Sequence, residues 1–138
     1  VEGCLVMKRF VCVLCTVLLL VLFPCCSSPD TLQMDLTQGY GHQTKLLHLN
    51  ASNAKNRQRI EDFAAVTEDA QPLDKDFSLF AYYPDMTLTI TRNGQAGPTA
   101  IVDINGDYVD FYYSGETQLY RSKMSSVDLK KLIHQPTK

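Results

Sequence analysis

Acidic and tyrosyl side chains crowd one stretch of this chain, Asp103-Ile104-Asn105-Gly106-Asp107-Tyr108-Val109-Asp110-Phe111-Tyr112-Tyr113. Carboxylates set so closely suggest calcium ligation or acid–base chemistry. A calcium loop of the helix–loop–helix kind needs glycine at its sixth position and a bidentate glutamate at its twelfth. Counted from Asp103, those positions hold Tyr108 and Ser114. The pattern fails, and a tight turn at Asn105-Gly106 accounts for the same residues. Carboxylate pairs such as Asp107 and Asp110 do acid–base work only in a cleft that shifts their pKa values, and a surface hairpin offers none. His42, His48 and His134 show neither the i, i+4 spacing nor the flanking glutamate of a zinc site. No nucleophile elbow, phosphate loop or dinucleotide fingerprint occurs. The expectation is a protein that is not an enzyme and uses no metal or cofactor.

A contact surface is the remaining chemistry. Tyrosine offers a broad ring with a hydrogen-bonding tip and loses little rotamer entropy on binding. Tyr108, Tyr112, Asp103 and Asp110, joined by Tyr120, form the expected interaction patch. The competing reading is an ordinary solvated sheet face, since Thr and Tyr favour strands in any case.

The elements that must carry this patch are legible from periodicity. From Phe77 to Ser122 apolar and polar residues alternate, and five strands are expected near 78–82, 87–92, 99–104, 107–113 and 118–122. Turn chemistry fills the gaps: Pro84-Asp85, Asn93-Gly94 with Gly97-Pro98, Asn105-Gly106 and Ser114-Gly115. Asn105-Gly106 suits a two-residue type I′ turn, in which both central residues need positive φ. That turn sets Ile104 opposite Asp107, Val102 opposite Val109 and Ala100 opposite Phe111, all on one apolar face. It sets Asp103 opposite Tyr108 and Ile101 opposite Asp110 on the other. Lys45–Leu49 reads as an earlier strand. A first helix is expected over 54–66, capped by Ser52 or Asn53, with Ile60, Phe63 and Ala64 as its apolar stripe. A second is expected over 125–134, with Ser125 and Asp128 in capping-box spacing and Leu129, Leu132 and Ile133 facing inward. The expected fold is α+β, a two-layer antiparallel β-meander of about five strands with an N-terminal and a C-terminal helix packed on one face.

Upstream, Lys8 and Arg9 precede an apolar run from Phe10 to Phe23, followed by Pro24-Cys25-Cys26-Ser27-Ser28. This is the basic, apolar, small-residue layout of a secretory signal. The run is 14 residues long. At roughly 1.5 Å per residue it reaches about 21 Å, short of the roughly 30 Å bilayer core. Residues 1–26 are therefore expected to be a signal peptide with its true start at Met7, residues 27–43 a polar tether, and residues 44–138 a single α+β domain. All five cysteines, Cys4, Cys12, Cys15, Cys25 and Cys26, lie at or before the signal exit. The mature domain then has no disulfide framework or thiolate metal site, and Cys26 is the expected lipidation site. Simple secretion is the alternative. Removing Lys8, Arg9 and Glu2 from 13 basic and 15 acidic side chains leaves 11 against 14, a net charge of −3. Such a balance gives no basic footprint for nucleic acid. Asn50-Ala51-Ser52 fits a glycosylation sequon, a weak signal behind a leader of this bacterial type.

The segments Ala-Tyr-Tyr-Pro-Asp at 81–85 and Asp-Ile-Asn-Gly-Asp-Tyr-Val-Asp-Phe-Tyr-Tyr at 103–113 resemble small uncharacterised lipoproteins of Gram-positive bacteria, over about half the chain. That resemblance implies an envelope-exposed domain of unknown function and carries over no catalytic residues. The sequence departs from it at the lipobox, where Phe23 stands in place of the usual Leu. The resulting expectation is a lipid-anchored, non-enzymatic binding module on the extracytoplasmic face of the cell membrane. Its expected partners are the membrane and an envelope protein or ligand. The alternative is a small secreted inhibitor or immunity-type protein that blocks an enzyme.

Overall fold

Leu32, Met34 and Leu36 alternate with Gln33, Asp35 and Thr37, and this period of two makes a strand, β1 (Leu32–Gln38). In the structure, a computed structural model that describes residues 30–40, 44–80 and 83–136, the three apolar side chains of β1 are buried at the centre of the molecule. The expectation of a tether over 27–43 is corrected for this stretch. Its polar composition hid three core residues, because on a two-sided strand every second side chain is free to be polar.

The chain then forms β2 (Lys45–Asn50), α1 (Ala54–Ala64), β3 (Gln71–Leu73), a single helical turn α2 (Phe77–Phe80), β4 (Met86–Arg92) and β5 (Gln95–Ala96). It ends with β6 (Ala100–Asn105), β7 (Tyr108–Tyr113), β8 (Leu119–Ser125) and α3 (Ser126–His134). The fold is α+β, mostly antiparallel sheet with two substantial helices among the described residues. The strand order is β2-β1-β4-β6-β7-β8-β3, with β5 paired to β4. Among the described residues the sheet thus has eight strands rather than about five, and of these only β6-β7-β8 is a simple meander. β1 inserts between β2 and β4, and β3 crosses to the far edge.

The strand expected near 78–82 is corrected over 78–80, and Ala81 and Tyr82 lie outside the described residues. Asp76 accepts hydrogen bonds from the Ser78 backbone N–H (2.9 Å) and the Ser78 hydroxyl (2.7 Å), which turns the chain into α2. The strand in this region is β3, three residues long, whose Pro72 sits on an edge where a missing N–H is tolerated.

Both helices lie on one face of the sheet, as the apolar stripes require. The Asn53 side chain caps α1 by accepting from the Asn56 N–H at 2.8 Å, and Ser125 caps α3 by accepting from the Asp128 N–H at 3.1 Å. Ile60, Phe63 and Val66 meet Leu129 and Leu132 over Met34, Leu36, Leu88, Val102, Val109 and Phe111. Arg59 is buried between the helices. Its Nη2 donates to the Leu132 carbonyl at 2.7 Å, satisfying an acceptor in the last turn of α3.

The β6–β7 register differs from expectation by two residues. Asn105 pairs with Tyr108, Ile104 with Val109, Val102 with Phe111 and Ala100 with Tyr113. The two-residue loop is Gly106-Asp107, and only Gly106 has positive φ (62°). A glycine in the first central position is the pattern of a II′ turn. The pair with positive φ at both positions is Asn93 (52°) and Gly94 (77°), between β4 and β5. A shift of two preserves the sorting of side chains between faces. Ala100, Val102 and Ile104 still share a face with Val109, Phe111 and Tyr113.

Candidate functional site

The second sheet face is not the open polar surface expected from the sequence. Ile101, Tyr112 and Leu119 are buried there and packed by Leu73 and Phe77, so β3 and α2 cover that half of the face. The Phe77 and Tyr112 rings meet edge-on with centroids 4.7 Å apart. Burial first, and a hydrogen bond with Tyr40 second, push the Tyr112 phenol well above its ordinary pKa.

The expected patch residues separate accordingly. Tyr108 is 53 % exposed, Tyr112 is 5 % exposed and Asp110 is fully buried. Tyr120 pairs with Phe111 and stacks on it at 5.5 Å, which puts it on the helix side of the sheet. Asp103 and Asp110 do come together, directly opposite each other across β6 and β7. Arg121 reaches Asp110 with two hydrogen bonds, 2.8 Å from Nε and 3.0 Å from Nη2, and the Lys75 ammonium lies 3.8 Å away. The Arg121 guanidinium also lies over the Tyr108 ring, 3.9 Å from its centroid. Cys26 lies outside the described residues.

Among the described residues Asp103 has no paired guanidinium and only weaker compensation from Lys75. Burial foremost, then the nearby Asp85 carboxylate, a hydrogen bond to it and the charge of Asp110, raise its pKa from 3.8 to about 6, with Lys75 opposing. Asp85 meanwhile accepts from the Ile104 backbone N–H at 2.7 Å. These carboxylates are organised by hairpin and latch contacts. Among the described residues, no group of three or more His, Cys, Asp or Glu side chains is placed to hold a metal ion. His48 contacts Asp35 at 2.9 Å beside Lys45, and His134 contacts the Lys130 carbonyl at 2.7 Å. His42 lies outside the described residues.

Concavity occurs on the helix side. Beyond the end of α1 the helical layer stops short of the β4–β5 hairpin, leaving an open groove of 430 Å³. Its floor is Leu88, Ile90 and Ala100, and its hairpin wall is Ala96, Gly97 and Pro98. Ala64, Thr67 and Glu68 border it at the end of α1, and Tyr113 closes one side. Arg92 and Gln95 stand at its rim. Small side chains make the space: Ala64, Ala96, Gly97 and Ala100 reach too short a distance to fill it. The Tyr113 ring is held by Phe111 (centroids 5.5 Å) and Tyr120 (5.9 Å), so this wall is braced by an aromatic trio. Arg92 is held by Glu61 through two hydrogen bonds of 3.0 and 2.7 Å. That pairing raises the Arg92 pKa and lowers that of Glu61.

Sequence reasoning missed this groove. The one local signal was the run Ala96-Gly97-Pro98-Thr99-Ala100, five small residues beside strand residues of ordinary size. A volume of this size falls in the range of small-ligand sites, about 300–1,000 Å³, which are mostly apolar with a few polar groups at the mouth. No family model, no curated protein and no solved structure matches this chain.

Proposed function

We propose that this chain is an extracytoplasmic binding module, anchored to the cell membrane through lipid on Cys26, that receives a ligand in the groove between α1 and the β4–β5 hairpin and performs no chemistry on it. The groove carries the reading: 430 Å³ of open space over a floor of Leu88, Ile90 and Ala100, with a braced aromatic wall. Arg92 at its rim is engaged by Glu61. Among the described residues no helix is long and apolar enough to cross a membrane, and lipid on Cys26 would supply the attachment.

Ala96 lines the groove from the exposed β5 strand, so Ala96→Trp fills the space without entering the core. The full chain should bind an environment-sensitive apolar dye such as Nile red, and A96W with an unchanged melting temperature should not. Equal dye binding by both proteins would sink the groove reading. Anchoring is tested separately by intact mass and membrane fractionation. The native chain should carry diacylglyceryl mass in the membrane fraction, and Cys26→Ser should lose both.

The secreted-inhibitor reading draws on a different observation. Tyr108 is exposed on a rigid hairpin and backed by Arg121, a rigid aromatic contact of the kind that anchors protein interfaces. Recovery of a lipid-free chain from the medium would favour it.

A further inference from the structure

We infer that the groove takes a cationic amphiphile, an apolar tail with a quaternary or primary ammonium head, from the membrane surface. The inference rests on the groove being the binding site. The first argument is charge. Glu61 and Arg92 neutralise one another through their bidentate contact, and Glu68 at the same rim adds a further negative charge. The carboxyl-terminal end of α1 borders the groove at Ala64, and a helix carries roughly half a negative charge at that end. An anionic head would meet repulsion at this rim. An ammonium head would meet attraction, because Arg92, the one cation among the described residues lining the groove, is already paired with Glu61.

The wall adds to this. An aromatic ring attracts a desolvated cation through its quadrupole, and quaternary ammonium ligands are the usual beneficiaries. Tyr113 lines the groove, its ring in contact with Phe111 and Tyr120. The apolar floor of Leu88, Ile90 and Ala100 lies next to it for the tail.

Position supplies the second argument. The start of β1 lies beside the β4–β5 turn: Leu32 pairs with Arg92, the Asn93 N–H donates to the Thr31 carbonyl at 2.8 Å, and the Asn93 side chain accepts from the Thr31 N–H at 3.1 Å. Arg57 of α1 clasps Asp30, with 2.8 Å from Nη2 to the Asp30 carbonyl. Asp30 is four residues beyond Cys26, a contour of at most about 14 Å. A lipid on Cys26 would therefore hold the groove end of the domain against the bilayer. Anionic membrane surfaces concentrate cations there, so the local supply of a cationic amphiphile would be high.

The test is isothermal titration of the full chain with both exit cysteines replaced (C25S/C26S), so that no attached acyl chain competes. Three probes share a decyl tail and are used below their micelle concentrations: decyltrimethylammonium, decyl maltoside and decyl sulfate. The expected result is binding of the ammonium probe about ten-fold tighter than the maltoside, the sulfate weakest, a preference reduced by Glu68→Gln and all binding abolished by A96W. Equal affinity for the three probes, lost in A96W, would overturn the cationic class while leaving the groove as a site. Binding of the ammonium probe that A96W does not change would overturn the placement. No binding of any probe would overturn both this inference and the groove reading.

Discussion

Asp103→Asn should stabilise this protein at neutral pH. Asp103 lies opposite Asp110 across β6 and β7 and hydrogen-bonds with Asp85, and its pKa rises from 3.8 to about 6. A raised carboxylate pKa means that the folded state holds the proton more tightly than the unfolded chain. The associated stability is present in full below about pH 4 and is lost as the pH climbs through 6. At about 1.4 kcal/mol per unit the shift corresponds to roughly 3 kcal/mol. Partial exposure reduces this to about 1–2 kcal/mol of usable effect. Asparagine keeps the hydrogen bond to Asp85, because its amide donates as the protonated carboxyl does. D103N should therefore exceed the native chain by about 1–2 kcal/mol at pH 7.5 and match it near pH 4. Urea unfolding followed by far-UV circular dichroism at stepped pH measures the difference. Taking it between the two proteins cancels the slopes of Asp35 and Glu61, whose lowered pKa values act in the opposite sense. A D103N protein no more stable than the native chain at pH 7.5, or a gain independent of pH, would refute the reasoning.

Three further outcomes follow from named contacts. Arg121→Ala should cost about 3–5 kcal/mol, because it strips the bidentate partner from a fully buried Asp110; pairing R121M with D110N should recover most of the loss in the same urea assay. Met34→Ala should cost about 2–5 kcal/mol if β1 belongs to the core; an unchanged melting temperature would return 27–43 to a mere tether. Asn53→Ala should cost about 1 kcal/mol through loss of the α1 cap, with Asn53→Ser restoring much of it.

The proposed groove site and the proposed anchor at Cys26 have linked consequences for function. A site at the anchored end of a domain samples molecules in or near the bilayer, whereas one at the far end samples the surrounding fluid. If Cys26 carries lipid as proposed, the adjoining positions of Thr31, Asn93 and Arg92 would put this groove at the anchored end. Lengthening the chain between Ser28 and Asp30 would thus separate anchoring from capture, leaving soluble-probe affinity intact while lowering uptake from vesicles.

Local chemistry determined much of the secondary structure. The caps at Asn53 and Ser125, the apolar stripes of α1 and α3 and the strands β4, β6, β7 and β8 follow from propensity, period and hydrogen-bonding side chains within a few residues. The division of β6 and β7 into two faces also follows, because parity survives a two-residue slip. Which turn type forms at Gly106 depends on how the flanking strands pair, and so the register required the assembled sheet. The central place of β1 was likewise a tertiary decision: Leu32, Met34 and Leu36 become core only when β2, β4 and α1 close around them. Asp110 and Tyr112 look like surface residues in one dimension, and they are buried because Arg121 reaches across from β8 while Lys75 and Phe77 arrive from a remote part of the chain. The groove is the extreme case. It is an absence of side-chain volume between α1 and the β4–β5 hairpin, and empty space has no residue of its own to read.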